Sequence, residues 1–360
     1  MRRYKNIDIM RSLAIIIIIV YHCYAIADQA LTHFLYIDKL IGYGGEIGVT
    51  LFFILSGFGI SCSILNAENQ NHPYTWKSFM KKRLKRIVPQ YYVCLCVMLL
   101  LTDASAFIGT KEGLFHIFSH FCFIHNFTVE THVSINGAMW ALATIIQFYL
   151  IALFLQKLMK QHKWIILVAS IVITVILKML VFGFIAGNAD GNGTYYFVYG
   201  RQLFTALDNF VVGMFLANIF MSEKKYSEKG YNWIGVIFLF LIMVGLVLTV
   251  DKTGLYTNTL YGWCWHSLLA LVLGGILFFF VQCPIPFRYL EKGLLWISQY
   301  EYGIYIWHIV LIYNLLGKSA FFQLLANKSY ILFTASILII SVITGYFSTR
   351  FIDKERCFEE

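Results

Sequence analysis

Ile7-Asp-Ile-Met-Arg-Ser-Leu-Ala-Ile-Ile-Ile-Ile-Ile-Val-Tyr-His-Cys-Tyr-Ala-Ile-Ala27 is the stretch that decides the fold. As a helix it extends roughly 30 Å, the thickness of a bilayer's hydrocarbon core. It nevertheless carries Arg11 and His22. Ionisable groups in a spanning segment are expensive, so they face the protein interior and mark function. Eleven residues separate the two. That spacing returns them to nearly one helix face, displaced by roughly 16 Å along the axis. A cation therefore stands near one membrane surface and a titratable imidazole deep toward the other.

The rest of the chain repeats this character. Of 360 residues, 59% are hydrophobic and 13% charged, where a soluble domain carries about 25% charged residues. Mean hydropathy is +0.70. The expectation is an all-α polytopic membrane bundle, multi-pass in the cell membrane. The basic start (Arg2, Arg3, Lys5) precedes an apolar core with no small-residue cleavage site, which reads as a retained helix rather than a signal peptide. The 8 Cys are scattered without a CxxC spacing, so neither a disulfide framework nor a metal site is expected.

Ten apolar runs of spanning length follow one another, at 7–27, 47–66, 87–106, 138–156, 164–184, 201–220, 232–250, 262–282, 297–316 and 329–350. A shorter run near 114–128 is broken by His116, His120, His125 and Asn126, and reads as a loop or re-entrant piece. With the N-terminus placed in the cytoplasm, the cytoplasmic segments hold twenty Lys and Arg and the external ones six. Basic residues mark the cytoplasmic side. Both termini are therefore expected inside. Residues 67–86 form a cytoplasmic basic loop, 107–137 an external loop or re-entrant segment, 185–200 a second external loop, and 351–360 a short cytoplasmic tail. A single integral-membrane domain spans 1–360. The net charge of +9 is then largely an orientation signal facing anionic lipid, and nucleic acid is not an expected partner.

Several constellations can carry chemistry. His22 is a candidate general base, because a neutral imidazole takes a proton near neutral pH. Its structural alternative is a polar contact between helices, with Asp208 as a candidate partner. Arg11 is a second catalytic candidate, or a snorkelling arginine at the interface. Arg83 and Arg86 share one face of a helix entering the membrane and suit a phosphorylated cofactor, which guanidinium groups grip bidentately. Their alternative is topogenic charge. Gly44, Gly45 and Gly48 open the second span and allow close helix approach, with Glu46 among them as an acceptor-side group or a helix N-terminal acid. Trp140, Gln147 and Tyr149 mark the fourth span, and Tyr305 and His308 the ninth, as substrate-site or structural candidates. His116 and His120 have a metal-compatible spacing, but no acidic or Cys ligand completes a set.

Taken together, these motifs resemble the membrane acyltransferase-3 family over nearly the whole chain. Arg11 and His22, within Asp8-Ile-Met-Arg-Ser-Leu-Ala14, match its Arg–ten residues–His signature. Gly48-Val-Thr-Leu-Phe-Phe-Ile-Leu-Ser-Gly-Phe58 matches a second element, Arg83 and Arg86 before Ile87-Val-Pro-Gln-Tyr91 a third, and Tyr302-Gly-Ile-Tyr-Ile-Trp-His308 a fourth. The chain departs from the pattern at Ile145 and Ile146, where acidic residues are usual, and at Glu301, where Ser is usual. Some members carry a C-terminal esterase-like domain. The chain stops at Glu360 and is expected to lack it.

The resemblance implies an O-acyltransferase that takes acetyl from cytoplasmic acetyl-CoA to a hydroxyl of an extracytoplasmic or lipid-linked glycan. Arg83 and Arg86, with Arg11 as an additional candidate, would hold the donor phosphates. His22 would deprotonate the acceptor directly or act in an acyl relay. Phe127, Trp140, Tyr195 and Tyr196 are candidate sugar-stacking aromatics or interface residues. Membrane lipids are expected partners, no metal is expected, and homo-oligomerisation is left open. The alternative reading is a transporter or flippase for a glycan or small anion, to which intramembrane Arg and His belong equally well.

Overall fold

A computed structural model describes residues 4–26, 37–101, 107–188, 193–222, 232–250 and 255–352. Residues 353–360 of the expected tail and 189–192 of the second external loop lie outside the described residues. Helices account for nearly all the rest: α1 (Lys5–Ile26), α2 (Ile37–Gly42), α3 (Gly44–Asn69), α4 (Trp76–Leu101), α5 (Lys111–Phe121), α6 (Val129–His132), α7 (Met139–Asn188), α8 (Gly193–Tyr199), α9 (Leu207–Ser222), α10 (Asn232–Thr249), α11 (Leu260–Phe280), α12 (Arg288–Gln299), α13 (Glu301–Lys318), α14 (Ala320–Lys328) and α15 (Tyr330–Ile352). No strand occurs among the described residues.

Eight of these helices are long and apolar enough to cross a bilayer, and the pair α13 and α14 adds a ninth if counted as one bent span. In hydrocarbon every backbone amide must be satisfied within the segment, which is why apolar runs of this length become helices. The all-helical architecture agrees with the sequence. The runs at 138–156 and 164–184 form the two arms of α7, a 50-residue helical stretch. At about 75 Å it is far too long for one crossing. It breaks at His162 (φ −142°, ψ 52°), between the two runs.

The basic stretch 67–86 divides between the end of α3, a short turn, and the first turns of α4. Pro89 sits inside α4 and removes the amide that would bond the Lys85 carbonyl, three residues past Arg86. Residues 107–137 contain α5, a 3-10 turn at His125–Phe127 and α6, each too short to span. Thr110 caps α5 by accepting from the Gly113 amide at 3.0 Å.

The chain divides into two compact units. The first comprises Met1–Met10, Val49–Met80 and Thr144–Glu291, the second Arg11–Gly48, Lys81–Ala143 and Lys292–Glu360. In the first unit, Phe53 and Phe148 both stack on Phe210 and are fully buried with it. A β-carbon at Gly213 would run into the Ile54 backbone, so α3 and α9 touch backbone to backbone there. Asn6 ties the start of α1 to the Cys283 carbonyl at 2.8 Å. In the second unit, α3 begins against α1. A β-carbon at Gly45 would lie 2.6 Å from the Tyr21 ring, and one at Gly48 would lie 3.2 Å from the Ala14 carbonyl oxygen. The close-approach reading of these glycines is what the packing requires.

Candidate functional site

Arg11 and His22 belong to the second unit, and both face α13. Arg11 meets Glu301, with Nε 3.8 Å from Oε2. Arg86 on α4 reaches the same carboxylate, with Nη2 3.5 Å from Oε1. Further along, His22 packs on His308, their ring centroids 5.1 Å apart at 45°. Glu301 and His308 are seven residues apart, so they too share a helix face, with a rise of roughly 10 Å. α1 and α13 therefore run parallel as two rails. One level is a carboxylate between two guanidiniums, and the other is a pair of imidazoles.

Polar contacts to backbone carbonyls hold α13 in register. Tyr302 donates its hydroxyl to the Ile87 carbonyl and Tyr305 to the Ala138 carbonyl, each at 2.7 Å. Cys94 and Asn136 both donate to the Ile306 carbonyl at 3.4 Å. Beside them, Ser12 of α1 donates to the Leu294 carbonyl at 2.6 Å. Tyr305 is therefore a strut, since its hydroxyl is committed to the backbone. His308 is fully buried, and its Nδ1 bonds the Tyr305 carbonyl. A carbonyl only accepts, so Nδ1 carries the proton and Nε2 is the basic nitrogen. That Nε2 is buried without a hydrogen bond.

Exposure differs across the charged level. The Glu301 side chain is 9% exposed, Arg11 23% and Arg86 46%. The carboxylate lies inside while the guanidiniums open outward. Arg83 sits one turn before Arg86 and is half-buried. Glu46 is buried in the first turn of α3, where a helix N-terminus favours an acid. Trp140 is buried and stacks on His132, with centroids 5.2 Å apart, so it is an internal packing residue rather than an open platform. Gln147 and Tyr149 belong to the first unit, where Tyr149 packs edge-on against Phe79. Asp208 also lies in the first unit, with Lys178 within electrostatic reach. The imidazole that faces His22 is His308.

The histidines of the 107–137 segment cluster without converging on a metal. His120 and His125 stack face to face at 3.9 Å, which directs ring planes rather than nitrogens at each other. No group of three His, Cys, Asp or Glu able to hold a metal occurs among the described residues. Burial drives the pKa of His120 and His132 down to about 4. They are neutral core groups at physiological pH.

A sequence match now carries the assignment. The model of a family described as an acyltransferase domain matches residues 4–350. The chain belongs to that family. It is membrane-integral, as its spanning helices require. A peptidoglycan O-acetyltransferase, OatA of Listeria monocytogenes, is 27% identical over 336 residues, 86% of this chain and 50% of that protein. The O-acetyltransferase OatA of Staphylococcus aureus is 26% identical over 339 residues, 86% of this chain and 51% of that protein. The chain thus spans about half the length of the curated relatives it matches. No solved structure matches it.

Glu301 is the residue whose part sequence reasoning missed. It stood out as a departure from the family pattern, yet nothing in the sequence joined it to Arg11 and Arg86. The available signal was an acid at the very start of a span whose one histidine, His308, shares its face.

Proposed function

We propose that this acyltransferase-family chain is an O-acetyltransferase. In this reading it takes acetyl from acetyl-CoA at the cytoplasmic face and gives it to a hydroxyl of an extracytoplasmic or lipid-linked glycan. The observation that carries the reading is the two-level arrangement of α1 and α13. Guanidiniums suited to oxyanions stand at one level and a pair of imidazoles at the other. Relatives whose names state O-acetyltransferase activity, one of them on peptidoglycan, support the same class and a glycan acceptor. The charge asymmetry of the loops supports both termini inside, which turns the arginine level to the cytoplasm.

His22 acts as general base. The acceptor oxygen bonds to the acetyl carbonyl carbon and the thioester carbon–sulfur bond breaks. The hydroxyl proton passes to His22 and from there to the departing sulfur, so no net proton is released. Arg86 and Arg11, with Arg83 a turn away, hold the donor's phosphates. An extended pantetheine arm bridges the roughly 16 Å rise from Arg11 to His22. His308 is a positioning residue, its ring fixed by the Tyr305 carbonyl and packed on the base.

The test is transfer of labelled acetyl from acetyl-CoA to glycan fragments by the purified full chain, wild type against His22→Gln. Removing a general base costs about 10²–10⁴ in rate. Transfer by His22→Gln at the wild-type rate refutes the assignment. Failure of acetyl-CoA to raise the melting temperature of the wild type would favour a transporter instead.

A further inference from the structure

The carboxylate of Glu301 occupies the place where an anion would be bound. It projects from the first residue of α13, so the positive end of that helix lies beneath it. Arg86 and Arg11 flank it at 3.5 and 3.8 Å. Charge-assisted hydrogen bonds are about 2.7–2.9 Å long. The contact is therefore Coulombic, and neither arginine presents its fork to Glu301. The Oε2 atom is buried and accepts no hydrogen bond. Two cations and a helix N-terminus converge on one carboxylate that engages them only loosely. The carboxylate is the most enclosed of the three groups, and the guanidiniums face the open side.

We infer that Glu301 is an internal counter-anion of the phosphate site, holding Arg11 and Arg86 together when the site is empty and competing with the donor's phosphates for them. This inference rests on the donor reading above and deepens it. An incoming phosphate approaches from the exposed side and takes the Arg86 fork, which Glu301 leaves unused. The arginines then turn from the carboxylate toward the ligand. As free coenzyme leaves, Glu301 recovers both cations, which lowers the barrier to product release. Glu301 thus sets donor affinity without touching the acyl group, and it makes that affinity lower than the two arginines alone would give.

The experiment is a binding titration on the full chain in detergent or nanodiscs, with free coenzyme A and inorganic pyrophosphate as two separate probes. Wild type is compared with Glu301→Gln, which keeps shape and loses charge, and Glu301→Asp, which keeps charge. Glu301→Gln is expected to bind both probes about two- to fivefold more tightly, the range a partly exposed ion pair commands. Its melting temperature without ligand should fall and recover steeply with pyrophosphate. Glu301→Asp should stay close to wild type, and it answers for the role of charge if Glu301→Gln folds poorly. Unchanged or weaker binding of both probes by Glu301→Gln, with wild type binding normally, overturns the counter-anion. Tighter pyrophosphate binding with no coenzyme A binding in either protein keeps the counter-anion and removes the donor reading.

Discussion

Among the described residues, the two units enclose charge on opposite plans. In the first unit, Lys178 on α7 and Asp208 on α9 are each 1% exposed, with the His266 imidazole of α11 also within electrostatic reach of the lysine. Asp208 Oδ1 further accepts the Asn209 amide at 2.9 Å, and its own amide donates to the Thr174 hydroxyl. Lys178 and Asp208 are sealed away together, and the buried Arg201 guanidinium also acts on His266. In the second unit, one buried carboxylate serves two guanidiniums that reach toward solvent. Lys178 and Asp208, sealed within electrostatic reach of each other, offer a ligand no open side and act as an electrostatic clamp between α7 and α9. A cluster whose guanidiniums are partly exposed keeps them within reach of a ligand. Burial alone does not identify a binding site here, because the more deeply buried cluster is the less available one.

The most forceful way to break that contrast is to remove one member of the sealed pair. Lys178→Met or Asp208→Asn should each cost up to about 3–5 kcal/mol, the upper bound for leaving one buried charge without the opposite charge in reach. The double variant Lys178→Met/Asp208→Leu should recover most of the loss, since well-packed apolar residues replace a buried pair at little cost. Denaturant unfolding of the purified chain measures all three. Single variants as stable as wild type would mean that the pair is not sealed.

The clamp also shows where sequence reading stopped. When Lys and Arg are assigned to loops by the cytoplasmic excess, two are left inside apolar runs, Arg11 and Lys178. Arg11 drew attention because His22 stands eleven residues on. Lys178 has no such companion in its own run, and its partner lies thirty residues later in sequence. A lone cation in a span demands an acid in another span, and Asp208 is the one acid inside the apolar runs that follow before Glu301. That pairing is legible in principle, although the sequence offers His22 as an equally ready partner for Asp208. The spanning runs, the close approach of Gly45 and Gly48, and the shared face of Arg11 and His22 were readable because they obey a local period. The meeting of Glu301 with Arg11 and of His308 with His22 depends on which helices pack together, and one sequence carries no record of that.

A third region extends the contrast to groups that stay buried by staying neutral. Around α5 and α6, burial lowers the pKa of His120 and His132 from 6.5 to about 4. A base depressed in the folded state binds fewer protons than it does unfolded. Its contribution is therefore complete above pH 6.5 and is lost as pH falls from 6.5 toward 4. Each histidine can lose up to about 3 kcal/mol over that window. Hydrogen exchange should show the amides of 111–132 opening first as the buffer is acidified. His120→Gln should flatten the dependence. Exchange in this segment that ignores pH between 7 and 4.5 would mean that the histidines are hydrated.

The smallest effect on stability should accompany a large effect on ligand binding, at Arg86. Its side chain is 46% exposed and its nearest carboxylate oxygen is 3.5 Å away. An ion pair so open to solvent contributes at most about 1 kcal/mol. Arg86→Ala should therefore melt within a few degrees of wild type, far from the collapse expected at Lys178. Yet Arg86 supplies the more accessible of the two forks, so the coenzyme-induced rise in melting temperature should largely disappear in Arg86→Ala. Arg86→Lys should recover only part of it, because an ammonium keeps the charge without the bidentate geometry. High salt should weaken the wild-type response, as it does for any solvent-facing charge. If Arg86→Ala instead unfolds as readily as Lys178→Met while binding coenzyme normally, the open cluster is a second clamp, and the division between sealed and available charge fails.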